Sequence, residues 1–213
     1  MNNLSTLAAT IAFVHAPIAF ADAGWYAQLS GGLASQADQT LVYTPGNVRR
    51  EAALGSGILG GGAAGYALGN GWRIEGEFIY QSVDMDAVNF GTGLPAGDGN
   101  YASTSFAVNA LYEFDLLGTP KARTYVGLGL VRITEVDVDF ESAGVERSYS
   151  GSDSAVQALF GARYDLGEDS YIDAGLRYLA ASDVELDGED GALGQIRADY
   201  RPWALTVSWG WRF

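Results

Sequence analysis

Among 213 residues, 26 acids stand against 12 Lys+Arg, a formal charge of −14, and the positions of these groups limit the chemistry available. Glu75 and Glu77 come closest to a general acid–base pair. At strand spacing, however, both side chains point the same way and Arg73 flanks them, which suits a salt-bridged interior better than a catalytic dyad. The one histidine, His15, falls in an apolar N-terminal stretch. Beyond it no imidazole can serve a Ser-His or Asp-His pair or a histidine zinc site. Cysteine is absent, which removes thiolate nucleophiles, thiolate metal sites and disulfides. Lys121 lies in a turn bearing Gly118 and Pro120, a poor setting for a desolvated amine nucleophile.

Two further patterns invite ligand readings and fail on detail. The run Gly55-Ser56-Gly57-Ile58-Leu59-Gly60-Gly61-Gly62 lacks the Gly-Lys-Ser/Thr ending of a phosphate loop, so a strand of small residues is the better reading. Asp183, Glu185, Asp187, Glu189 and Asp190 form one acidic cluster; Glu135, Asp137, Asp139 and Glu141 form another. Gly194 occupies the position where a calcium loop requires its bidentate Glu, so solvated acidic loops with diffuse cation association are expected. The sequence therefore calls for no cofactor, no resident metal and no catalytic residue. Its acidity also opposes a nucleic-acid partner.

What positions these groups is a series of strands. Residues 4–20 hold no acid, Lys or Arg and run into Ala19-Phe20-Ala21 and Ala21-Asp22-Ala23, two overlapping small-x-small sites. Residues 1–21 thus read as a signal peptide cleaved after 21 or 23, although Met1-Asn2-Asn3 brings no basic side chain. Residues 22–213 form one β domain. Eight alternating segments follow one another: Trp25 to Ser35, Leu54 to Leu68, and stretches around Trp72–Gln81, Val108–Phe114, Tyr125–Leu130, Val156–Leu166, Ile172–Tyr178 and Trp203–Phe213. Short connections at 69–71, 115–122 and 167–169 alternate with longer ones at about 36–52, 84–100, 141–152 and 180–197.

Alternation alone does not say which face points inward. Three features turn the apolar face toward lipid. The last strand puts Trp203, Trp209, Trp211 and Phe213 on one side, too bulky a set for the inside of an eight-stranded barrel. Aromatic residues gather near strand ends (Trp25, Trp72, Tyr80, Tyr112, Tyr164, Tyr178), where bilayer interfaces favour them. The opposite face carries Arg73, Arg163, Arg177 and Arg212 against Glu75, Glu77, Glu113, Asp165 and Asp173, nearly balanced as a closed polar interior requires. Backbone groups in hydrocarbon must all be paired, so the strands must close on themselves. The expectation is an all-β, eight-stranded antiparallel up-and-down transmembrane barrel with short periplasmic turns and long extracellular loops.

Several segments then resemble a known group: Gly24-Trp25-Tyr26-Ala27, Gly71-Trp72-Arg73-Ile74-Glu75-Gly76-Glu77, Tyr125-Val126-Gly127-Leu128-Gly129, Gly161-Ala162-Arg163-Tyr164-Asp165-Leu166 and Gly175-Leu176-Arg177-Tyr178. In order and spacing the chain is similar to the eight-stranded outer-membrane barrels of the opacity-protein and OmpA/OmpX type, over about residues 24–213. That resemblance implies a Gram-negative outer membrane, contact with its lipids and lipopolysaccharide, and a monomer. It also implies that Trp209, Trp211 and Phe213 act as the C-terminal signal read by the assembly machinery, with no peptidoglycan-binding domain after them. The function expected is that of a structural or surface-interaction protein, binding an extracellular ligand through its loops in adhesion or envelope integrity. A narrow porin-like diffusion channel is the alternative, and a lipid-modifying envelope enzyme comes last.

Overall fold

The computed structural model describes residues 23–44, 46–89, 99–142, 145–189 and 194–213; the expected leader, residues 1–21, lies outside them. Ten strands occur in the order β1 (Gly24–Ser35), β2 (Gln39–Thr44), β3 (Val48–Ala67), β4 (Trp72–Asn89), β5 (Gly99–Phe114), β6 (Ala122–Ser142), β7 (Val145–Asp165), β8 (Ser170–Glu189), β9 (Gln195–Tyr200) and β10 (Trp203–Arg212). They make eight wall strands, because β2 carries on from β1 after a break at residues 36–38 and β9 runs into β10 across Arg201 and Pro202. All neighbours are antiparallel, and pairing of β1 with both β3 and β10 closes the lower ring. Higher up, β2 pairs with β3 and β9, and β9 with β8, so the wall still counts eight. The short turns hold Gly69, Gly71 and Gly118 at φ 70, 89 and 64, values a side chain would resist.

Face assignment follows the sequence reading. Trp203, Leu205, Val207, Trp209, Trp211 and Phe213 are exposed, as are Leu29, Leu33, Ile74, Phe78, Leu128, Leu130, Phe160 and Leu176. An apolar surface of this extent has no place in water and matches an acyl-chain environment. On β1 it reaches from Trp25 to Leu33, about 26 Å along the strand and about 20 Å along the bilayer normal at usual barrel tilt. Rings rim both ends: Trp25 with Tyr66 (centroids 5.2 Å apart) and Trp72 with Tyr112 (5.1 Å) below, Tyr178 with Trp203 (4.5 Å) above.

The four longer connections are where structure and expectation part. Much of 36–52, 84–100, 141–152 and 180–197 is paired strand: β2 and the start of β3, the ends of β4 and β5, β6 to Ser142 with β7 from Val145, and β8 to Glu189 with β9. The barrel therefore rises well beyond the apolar band as a crown. In the crown the polarity inverts. Leu41, Met85, Tyr101, Ile133, Val136, Val138, Tyr149, Val184, Leu186, Ile196 and Tyr200 fill its interior, while Glu135, Glu185, Asp187 and Arg197 face outward. A wall in water needs the arrangement of a soluble barrel, apolar inside and charged outside, whereas a wall in lipid needs the reverse. Bulges reconcile the two. On β6 the inward positions are odd up to Ile133 and even from Val136; the pairing with β7 slips between those two residues. On β8 the slip lies between Ala181 and Val184, where Asp183 takes φ 56.

Candidate functional site

Two structures could do work here: the polar interior of the membrane segment and the crown above it. The interior is built by inward-facing residues of neighbouring strands. Arg73 of β4 lies with Nε 2.9 Å from Glu113 Oε1 of β5, and Arg163 Nη1 of β7 approaches the same oxygen at 3.4 Å. Both guanidiniums sit among rings. Arg73 is 5.3 Å from the Tyr26 centroid and 5.1 Å from Tyr125, and Arg163 stacks 3.8 Å over Tyr171. Glycines on adjacent strands make room for these rings, since a Cβ at Gly65, Gly161 or Gly210 would collide with Tyr26, Tyr125 or Tyr171 respectively.

A second layer lies above. Arg177 Nη2 binds Glu77 Oε1, and the other Glu77 oxygen accepts from Asn109 Nδ2 at 3.0 Å and Gln157 Nε2 at 3.3 Å. Glu75 accepts from Tyr26 (3.0 Å) and Asn109 (3.2 Å), and Asp173 accepts from Tyr125 at 2.7 Å. Arg212 and Asp165 pair at the half-buried periplasmic mouth. All nine residues expected in the polar network thus share one interior, and each carboxylate there has a partner. Such burial is tolerable because every carboxylate is paired or hydrogen-bonded, although Arg163 Nε and Nη2 and Arg177 Nε and Nη1 have no hydrogen-bond partner among the described residues. At the level of Arg73, Glu77, Asp173 and Arg177 the lumen is nearly full, with a void of about 20 Å³, and it widens to about 380 Å³ at the mouth beside Glu113, Arg163, Asp165 and Arg212.

Five contributors went unrecognised in the sequence: the rings of Tyr26, Tyr125 and Tyr171, and the amides of Asn109 and Gln157. A usable signal existed, because all share the inward phase of the charged residues. Trp209 and Trp211 face outward on β10, and the Phe213 amide donates to Trp25 O at 3.0 Å, tying the last residue to the seam strand.

The acidic clusters, expected in loops, stand on crown strands. Among the described residues no set of three or more carboxylates converges as a metal site would require. Asp190 lies outside the described residues. On β6, Asp139 accepts from Ser148 at 2.5 Å, and on β8 Glu189 accepts from Ser150. Partial burial, then the neighbouring Glu135, Asp139 and Glu189, pushes the Asp137 carboxyl up to about 6. In the crown core Tyr101 and Tyr200 stack face to face at 5.2 Å, with Tyr200 and Ser103 hydroxyls 2.6 Å apart; burial raises the Tyr200 phenol to about 12.

A closed antiparallel barrel with a lipid-facing apolar band and an internal salt-bridge network is a transmembrane β-barrel. The family model for the outer membrane protein beta-barrel domain matches residues 5–213, and the chain belongs to that family and to the outer membrane. No curated protein matches it. In fold it is similar to OprG from Pseudomonas aeruginosa, with a TM-score of 0.63 at 17% identity, covering 92% of this chain and 99% of that one. Neisserial surface protein A gives a TM-score of 0.54 at 18% identity over 90% and 99%. The outer membrane protein AlkL, solved in lipid bilayers, gives 0.52 at 15% over 96% of each chain. Identities this low convey the architecture alone.

Proposed function

We propose that this protein is a non-conducting, non-enzymatic outer-membrane barrel that holds a rigid acidic crown above the lipid for contact with extracellular surfaces. The observation that carries this reading is the filled lumen. Inside the membrane band, paired ions, tyrosines and amides occupy the axis; above it, the apolar crown core forms a second stopper. A diffusion channel needs a continuous wet path, and an eight-stranded wall leaves little room for one once large side chains point inward. Catalysis has equally little support. The buried carboxylates are committed to fixed partners, and the titratable groups open to solvent are scattered over the crown. The crown, in contrast, resembles a presentation platform. Its strands are mutually hydrogen-bonded, so an incoming partner meets a surface that loses little entropy on binding. On this reading the barrel is a monomer in contact with lipopolysaccharide, is delivered by the assembly machinery through its C-terminal strand, and acts in adhesion or envelope integrity.

Planar-bilayer recording of the purified barrel tests the lumen. A baseline without stable open events above lipid background is expected; reproducible unitary conductance would overturn the proposal in favour of the channel. For the crown, bacteria displaying Asp137→Asn, Asp139→Asn and Asp187→Asn together should adhere less to partner cells at unchanged surface level. Unaltered adhesion would remove the acidic crown from the contact.

A further inference from the structure

The β1–β10 ladder does not run on into the β2–β9 ladder above it. The uppermost rung of the β1–β10 pairing is Ser35 with Trp203, and the lowest rung of β2–β9 is Val42 with Arg197. Between them, residues 36–41 face residues 198–202 with no ladder joining the two, and within this interval the wall strands break at 36–38 and at 201–202. The break opens into a cavity of about 720 Å³, within the size range of small-molecule sites. The last rung below the break is Ser35 with Trp203, and Trp203 is half exposed beside Tyr178 in the upper aromatic girdle, so the break begins at the depth of the outer-leaflet headgroups.

We propose that this notch is a binding site for a hydroxyl-rich sugar ring, uncharged or amine-bearing. Gln36 is the central group. Only 4% of it is exposed, its Nε2 donates to Asp199 O and Gln39 Oε1 at 3.3 Å each, and its Oε1 has no partner among the described residues. A buried amide oxygen left without a donor costs about 1–3 kcal/mol, and a small rotation of Gln36 toward the cavity it lines would let a ligand hydroxyl supply that donor. Around it the wall offers both hydrogen-bonding senses: carboxylates of Asp38, Glu51 and Asp199 accept, while Thr40 and Arg201 donate. A polyol uses both at once. Ala37, Ala52 and Ala53 add an apolar strip against which a sugar's C–H face can rest. Three carboxylates against one arginine, itself 3.1 Å from Asp199, repel phosphorylated or sulfated sugars. A metal does not fit, since no cluster of three carboxylates closes there among the described residues. The site does not depend on how the crown meets a partner, and a conducting lumen would leave it intact.

The test uses the full chain refolded in phospholipid nanodiscs, with backbone amides of residues 36–40 and 199–201 followed by NMR. Maltotriose, chitotriose and the glucosamine trisaccharide are titrated, with glucose 6-phosphate as the anionic control. A parallel set of discs carries lipopolysaccharide. Saturable shifts confined to the notch are expected with a neutral or amino sugar. Shifts in phospholipid discs identify a free extracellular glycan; shifts only in the lipopolysaccharide discs identify a lipid-anchored one. Ala37→Trp, a surface change that fills the notch, should abolish the shifts, and Gln36→Leu should weaken binding about tenfold. Should Gln36→Leu fail to refold, Ala37→Trp decides alone. The proposal is overturned by absence of saturable shifts in both sets of discs, by shifts that persist in Ala37→Trp, or by tighter binding of the phosphorylated control.

Discussion

Removal of one partner from the upper interior ion pair gives the sharpest view of how the membrane segment is held together. Arg177 and Glu77 have side chains 9% and 3% exposed, so neither can fall back on water. Arg177→Leu leaves the Glu77 carboxylate with only the amides of Asn109 and Gln157, at 3.0 and 3.3 Å. Those two donors offset part of the loss and set the cost at about 3 kcal/mol, the lower end for an orphaned buried charge. Glu77→Gln is the worse change. Arg177 Nε and Nη1 already lack hydrogen-bond partners among the described residues, so losing the carboxylate strands the whole guanidinium, at about 5 kcal/mol. The double variant Arg177→Leu/Glu77→Gln removes both charges and keeps an amide beside Asn109 and Gln157. It should lie within about 2 kcal/mol of the parent, more stable than either single variant. Urea unfolding in phospholipid vesicles, read by tryptophan fluorescence, measures all three. Single variants within 1 kcal/mol of the parent, or a double variant as unstable as the sum of the singles, would refute a dry, paired interior.

Other expectations concern the remaining parts of the wall. Arg73→Leu should destabilise the barrel by about 3–5 kcal/mol in the same assay, because Glu113 is then left to Arg163 at 3.4 Å. Gly210→Val should lower the thermal midpoint in detergent, since its Cβ would occupy the place of the Tyr171 ring; an unchanged midpoint would mean that the ring packs elsewhere. Deleting Phe213 removes both its ring and its bond to Trp25 O, and outer-membrane levels should fall; parental levels would show that the terminal residue is dispensable for assembly. Asp137 has a folded-state pKa raised to about 6, above its ordinary value, so its ionisation opposes the native crown as pH rises through 6 and this penalty is absent below about 4. Solvent screening holds the effect under about 1 kcal/mol. Carboxyl NMR should show the step near pH 6, and a midpoint near 4 would contradict the crowding of Asp137 by Glu135, Asp139 and Glu189.

The sequence by itself determined the membrane segment. A period of two, with Trp and Leu on one side and Arg, Glu and Asp on the other, admits a single closed solution in lipid: eight strands, apolar outward, charges paired within. For that reason Arg73, Glu75, Glu77, Glu113, Arg163, Asp165, Asp173, Arg177 and Arg212 could be placed together in advance. The crown was harder to read, although Val136-Asp137-Val138-Asp139 and Val184-Glu185-Leu186-Asp187 alternate as strictly as any lower strand. Density of acids marks a loop only if the intervening residues are not buried, and burial here depends on strands far apart in the chain arriving at the same height. The bulges at Thr134-Glu135 and at Asp183 reset which parity faces inward, so the pattern changes phase within a continuous strand. Only the tertiary structure could decide that the wall continues above the lipid with reversed polarity. It alone could also place the breaks after Ser35 and before Trp203 side by side, because that depends on registers between strands more than 150 residues apart.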